Sequence, residues 1–132
     1  MTFQRRQRLG SSIARSMSRK PFSLASRHAL VTGSGSAAGI GFASARLLLR
    51  LGARVSITST TDRIHERAAD LSEGTFAYVA NLTDRAQASA VVEAARDAHG
   101  PIDVLVNAAG MAQTGVAAIS PPFADLSAHT LD

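Results

Sequence analysis

The chain has 132 residues, room for one domain, and its 45% hydrophobic and 18% charged composition argues against a disordered polymer. Cysteine is absent, which excludes disulfides and thiolate metal sites, and no apolar run approaches the roughly 18 residues needed to span a bilayer. The formal charge of +4 is unevenly placed: residues 1–27 hold seven of the fourteen basic groups and no acid, so the rest, with all ten acids, is mildly acidic.

Residues 1–27 are read as a basic, disordered extension. Their Arg- and Ser-rich, acid-free composition matches a mitochondrial presequence, a solvated arm, or a stretch upstream of a start at Met17. The expected location is cytoplasmic, with the mitochondrial matrix as the alternative if the presequence reading holds. A basic tail can also bind phosphate polymers, but no aromatic interleaving or recognition-helix pattern accompanies it. The expectation is no nucleic acid and no membrane.

From residue 28 the chain alternates. "HALVT", His28 to Thr32, is apolar on both faces and reads as a buried strand. A glycine-rich turn follows. From Ile40 the residues Ala43, Leu47, Leu48 and Leu51 recur at helical spacing, with Gly52 as the stop. "ARVSITS", Ala53 to Ser59, is a second strand. Thr61-Asp62 opens a helix with Ile64, Ala68 and Leu71 on one face, closed by Gly74. "TFAYVA", Thr75 to Ala80, is a third strand. Thr83-Asp84 opens a longer helix striped by Ala88, Val91, Val92 and Ala95, which "HGP" terminates. "IDVLVN", Ile102 to Asn107, is the fourth strand. Short links between alternating strands and helices imply a parallel sheet with right-handed crossovers. After Gly110 periodicity is lost and Pro121-Pro122 excludes a regular element, so residues 111–132 read as a loop-like tail.

A glycine turn that leaves a buried strand and enters a helix is a place for a pyrophosphate. The helix end offers free N–H groups and a positive dipole end, and bare backbone permits close approach. Gly33, Gly35 and Gly39 miss the strict G-x-G-x-x-G spacing, and no Gly-Lys-Ser/Thr follows to make a Walker loop.

Taken with two further segments, the loop resembles that of the short-chain dehydrogenase/reductase family. Thr32, Gly33, Gly39, Ile40 and Gly41 match Thr-Gly-x-x-x-Gly-x-Gly with two extra residues between the first glycines. "NAAG", Asn107 to Gly110, resembles the family's Asn-Ala-Ala-Gly, and "NLTD", Asn81 to Asp84, its Asp-x-Thr-Asp. The resemblance covers residues 28–110 and implies the N-terminal half of a doubly wound parallel Rossmann sheet, strand order 3-2-1-4. It implies that Gly33, Ser34, Gly35, Ser36, Gly39, Ile40 and Gly41 line a dinucleotide's phosphates and adenosine ribose. Asn81 and Leu82 would lie against the adenine edge, with Asn81 accepting from the amine through its amide oxygen. Asn107, Ala108, Ala109 and Gly110 would back the ribose and brace the fourth strand.

Cofactor choice turns on the end of strand two, where an acid would favour NAD. Here Ser59 and Thr60 stand there, with Arg63 nearby, so NADP is favoured over NAD. The family's proton-transfer motif, Tyr-x-x-x-Lys, has no counterpart: the one tyrosine is Tyr78 in strand three and the one lysine is Lys20. No catalytic residue and no metal site is therefore expected. The four histidines read as solvated or capping, and Asp103 as a turn or edge residue. The expected function is NAD(P)-dependent alcohol/carbonyl oxidoreduction in a truncated chain, inactive by itself, with homo-oligomers expected only of full-length relatives. The alternative is a non-catalytic dinucleotide-binding module.

Overall fold

The computed structural model describes residues 21–110. Most of the basic extension and the whole 111–132 tail lie outside the described residues. Within them the order is β1 (His28–Thr32), α1 (Ile40–Arg50), β2 (Arg54–Ser59), α2 (Arg63–Leu71), β3 (Phe76–Val79), α3 (Arg85–His99) and β4 (Val104–Asn107). The four strands form one sheet, parallel as the alternation implies, in the order β3-β2-β1-β4 that the family resemblance implies. Ala29 pairs with Val55 on one side and Val104 on the other, and Thr32 with Thr58 and Asn107. All three helix-forming segments therefore return the chain to the same end of the sheet, and the strands all finish at the opposite end together.

Every residue of β1 is buried. One sheet face, built by Ala29, Val31, Val55 and Ile57, packs against Ala45 of α1 and Ile64 and Ala68 of α2. Each fully buried branched side chain there contributes roughly 1.5–3 kcal/mol of transfer free energy. Residues alternating with these face the other way, toward α3, whose Val91 and Ala95 are buried.

Two apolar stripes differ from expectation. In α1 the inward residues are Gly41, Phe42 and Ala45, with Leu48 and Leu49 partly buried, while Ala43 is exposed and Leu47 is 55% exposed. Gly41 sets this rotation. It lies against the Gly33 carbonyl so closely that a Cβ would overlap it, so position 41 must face the sheet and positions 45 and 48 follow at helical spacing. In α3 Val91 and Ala95 share the sheet-facing stripe, and Val92, about 100° round the helix from Val91, is 39% exposed.

The body also begins before His28. Leu24 packs against the core, its N–H donates to the Leu51 carbonyl at 2.8 Å, and the Arg54 N–H donates to the Arg27 carbonyl at 2.9 Å. His28 itself is fully buried, not solvated. Since the Gly100 carbonyl can only accept, Nδ1 of His28 donates to it at 2.9 Å, which leaves Nε2 to meet the Ser56 hydroxyl at 2.8 Å. His99 stacks edge-on against it with ring centroids 5.3 Å apart, and burial, then the charge of His28, push the His99 imidazole below its usual range. Asp103 ties the strand starts together: its carboxylate accepts from the His28 N–H at 2.9 Å and from Arg27 at 3.4 Å. The His28 N–H is the main reason its pKa lies below the ordinary carboxylate value. No helix among the described residues is long and apolar enough to cross a membrane.

Candidate functional site

The glycine loop leaves β1 at the end of the sheet where all strands finish. Gly33 has φ +68°, a left-handed conformation that side chains disfavour, and a Cβ on it would collide with the Ala108 carbonyl. Ser34 is pinned beneath: its N–H donates to the Thr58 carbonyl at 3.1 Å, its hydroxyl reaches the Val31 carbonyl at 3.4 Å, and it is fully buried. Gly35 passes over Ser59 with room for no side chain larger than hydrogen without displacement, a Cβ there lying 3.1 Å from the serine Cβ and Oγ. The loop then closes by a Gly39 N–H to Ser36 carbonyl bond of 3.0 Å and enters α1. No side chain caps that helix start and no acid stands in its first turn, so its first N–H groups and positive dipole end are left for an anion.

Thr32 locks this loop to the end of β4. Its Oγ1 accepts from the Ala108 and Ala109 N–H groups, both at 3.2 Å, and its proton points to the Val106 carbonyl at 3.4 Å. A hydroxyl offers one proton and two lone pairs, so Thr32 uses its full capacity. The motif match singled out Thr32, but only the structure shows this task.

Between these parts runs a cleft of about 360 Å³. Of the residues singled out from sequence, it brings together Gly33 and Gly35 from the first loop, Ser59 and Thr60 from the end of β2, Asn81 and Leu82 after β3, and Ala108, Ala109 and Gly110 after β4. Ser34, Ser36, Gly39, Ile40, Gly41 and Asn107 do not line it. Ser34 and Gly41 are buried behind the loop, Ile40 is 80% exposed, and Asn107 ends β4 opposite Thr32. Thr58, Ala80 and Thr83 line the cleft without having been singled out. Thr58 is the informative one, because its Oγ1 is buried and has no hydrogen-bond partner. A hydroxyl on the inward position of a buried strand was the available signal.

The turn after β3 is knitted by side chains. Oδ1 of Asn81 accepts from the Thr83 N–H at 3.1 Å and from the Thr83 hydroxyl at 2.7 Å, so the amide oxygen expected to face a base is turned toward Thr83. The Asn81 N–H donates to Gln87 Oε1 at 2.9 Å. Asp84 caps α3 by accepting from the N–H groups of Ala86 at 2.8 Å and Gln87 at 3.3 Å. Those bonds, Gln87 first, hold its carboxyl below the usual range. At the end of β2 the Ser59 hydroxyl donates to the Thr61 carbonyl at 3.2 Å.

His28 and His99 sit by the strand starts, away from this cleft, and Tyr78 lies within β3 opposite Thr58. Among the described residues no group of histidines and carboxylates could hold a metal ion. The cleft is lined by bare main chain, small side chains and hydroxyls, with no histidine, lysine, arginine or carboxylate among its lining residues.

The chain is similar to several known proteins. A family model described as short chain dehydrogenase matches residues 27–131. The 5-keto-D-gluconate 5-reductase of Escherichia coli (strain K12) is 43% identical over 94 residues, which cover 68% of this chain and 36% of that protein. Nodulation protein G of Rhizobium sp. (strain N33) is 36% identical over 96 residues, 72% of this chain and 38% of the relative. The chain thus spans little more than a third of these curated relatives. Among solved structures, one assigned as a short-chain alcohol dehydrogenase from Sinorhizobium meliloti 1021 superposes with a TM-score of 0.65 at 30% identity, covering 84% of this chain and 42% of the other. One assigned as a betaketoacyl-ACP reductase gives 0.60 at 38% identity, covering 67% and 35%.

Proposed function

The chain belongs to the short-chain dehydrogenase family, and from that premise we propose that its cleft holds a nicotinamide dinucleotide. The family uses such cofactors, and when bound the nicotinamide supplies or takes up hydride in the interconversion of an alcohol and a carbonyl compound. The residues present fit the group. Gly33 and Gly35 leave main chain bare where a diphosphate would lie, and the uncapped start of α1 faces it. Thr58 Oγ1 is a buried polar atom in the cleft wall that lacks a partner. The observation that carries the reading is the backbone cradle at Gly33 and Gly41, where side chains on both glycines are sterically excluded beside an uncapped helix N-terminus.

In this reading Gly33, Ser34, Gly35, Ser36, Gly39, Ile40 and Gly41 form the phosphate loop, some through backbone and some by supporting it. Ser59 and Thr60 meet the adenosine ribose, Asn81 and Leu82 the base, and Ala108 to Gly110 the opposite wall, with Asn107 bracing β4 behind it. NADP is favoured over NAD because no carboxylate stands at position 59 to take ribose hydroxyls and repel a phosphate. The Ser59 proton is directed to Thr61, so Thr60 and Arg63, at the start of α2, supply the donors for a 2′-phosphate. We assign these residues cofactor binding. Titration calorimetry with NADP and NAD tests the assignment: saturable binding, tighter for NADP, is expected. No binding to folded protein overturns the cofactor reading, and tighter NAD binding overturns the phosphate assignment alone.

A further inference from the structure

The sheet order fixes where each part of a dinucleotide falls in the cleft, if the reading above holds. The phosphate loop follows β1, the Ser59–Thr60 corner follows β2, and the Asn81 turn follows β3, and these strands are consecutive neighbours. A pyrophosphate on the first and a ribose on the second carry the base to the third. Asn81 is thus the polar side chain at the base end, beside Leu82 and Thr83.

The orientation of that amide is determined by its partners. A backbone N–H can only donate, so the atom that faces the Thr83 N–H at 3.1 Å is the oxygen, and the Thr83 hydroxyl donates to the same atom at 2.7 Å. Both lone pairs of Oδ1 are engaged. The amide nitrogen, with its two protons, has no hydrogen-bond partner among the described residues and is the group left for a ligand. We propose that Asn81 meets the base as a donor, so that the site reads an acceptor on the base and does not select adenine by its exocyclic amine. Hypoxanthine, whose O6 accepts where adenine donates, is held at least as well. A carboxylate at position 81 would keep one oxygen on Thr83 and present the other to the base. Asn81→Asp therefore exchanges donor for acceptor without changing shape.

The test is calorimetric binding of NADP and of its hypoxanthine analogue to the chain and to Asn81→Asp. For the unaltered chain the hypoxanthine form should bind as tightly as the adenine form or more tightly. In Asn81→Asp the ratio should move by about tenfold toward adenine, the scale of one charge-assisted hydrogen bond gained and one lost. Thr83→Ala keeps the backbone donor that orients the amide, so its base preference should match the unaltered chain. A preference of the unaltered chain for adenine by more than about threefold, the low end of one hydrogen bond, overturns the inference whether or not the variants fold. A ratio unmoved in a folded Asn81→Asp does the same. Absence of binding by either form removes the dinucleotide reading and this inference with it, an outcome separable from adenine selection.

Discussion

Thr32→Val is the most informative single change, because it keeps the shape of the side chain and removes one oxygen. In the native fold that oxygen satisfies the Ala108 and Ala109 N–H groups at 3.2 Å each, while its own bond to Val106 is long at 3.4 Å and adds little. Removal leaves two donors without a partner. A fully buried donor stranded in this way costs about 1–3 kcal/mol. Ala108 is half-buried and Ala109 exposed, so water recovers much of the second, and the net destabilisation is about 2 kcal/mol. The same loss frees the Ala108–Gly110 wall from the phosphate loop, and dinucleotide affinity should fall with stability. Urea denaturation followed by far-ultraviolet circular dichroism reads the first effect and calorimetry the second. Thr32→Ser, which keeps the oxygen, should lose far less of both. A Thr32→Val protein within about 0.5 kcal/mol of the unaltered chain, below one ordinary hydrogen bond, would refute the view that Thr32 ties β1 to β4.

Other changes test other parts of the structure. Gly33→Ala forces alanine into a left-handed conformation that costs about 1–2 kcal/mol and sets its Cβ on the Ala108 carbonyl, so the urea midpoint should drop and dinucleotide binding disappear; an unchanged midpoint would contradict the loop geometry. Ile57→Ala empties a fully buried position at the centre of the sheet and should cost about 2–5 kcal/mol, measured by the same denaturation. Acid should weaken the fold in two stages. His99 and Asp103 both have folded pKa values below their ordinary ones, so the unfolded chain takes up protons first and stability falls as pH falls. His99 contributes below about pH 6.5, and Asp103 together with the capping Asp84 below about pH 4. Melting temperatures across pH 7 to 3 should show the lower stage flattened in Asp103→Asn, and an identical acid profile in that variant would rule out the His28–Asp103 tie.

Much of this was legible from the sequence, for reasons that are local. An apolar run before a glycine turn, and β-branched residues between helical segments, mark strands wherever they occur, and short crossovers make them parallel; the sheet order came from the family resemblance. What escaped depends on distant partners. His28 was read as solvated or capping, because Ser56 and Gly100, which satisfy its ring, lie 28 and 72 residues away. The stripe of α1 was misplaced because leucines occur on two sides of that helix, and only the contact of Gly41 with Gly33 selects one. Asn81 is a different case: a threonine two residues after an asparagine is a local turn signal, yet the sequence reading set the amide oxygen against the base, and the fold turns it to Thr83. Thr58 could be noticed as a hydroxyl in a buried strand, but its lack of a partner is a property of the packed cleft alone.

The central claim is that a diphosphate rests on the bare backbone between β1 and α1. Amide hydrogen exchange of the chain with and without saturating NADP tests it most directly. Slowed exchange confined to residues 33–41 and to the Ser59–Thr60, Asn81–Leu82 and Ala108–Gly110 segments is the predicted result. Binding that protects some other surface, and leaves the Gly33–Gly41 amides unchanged, would contradict it.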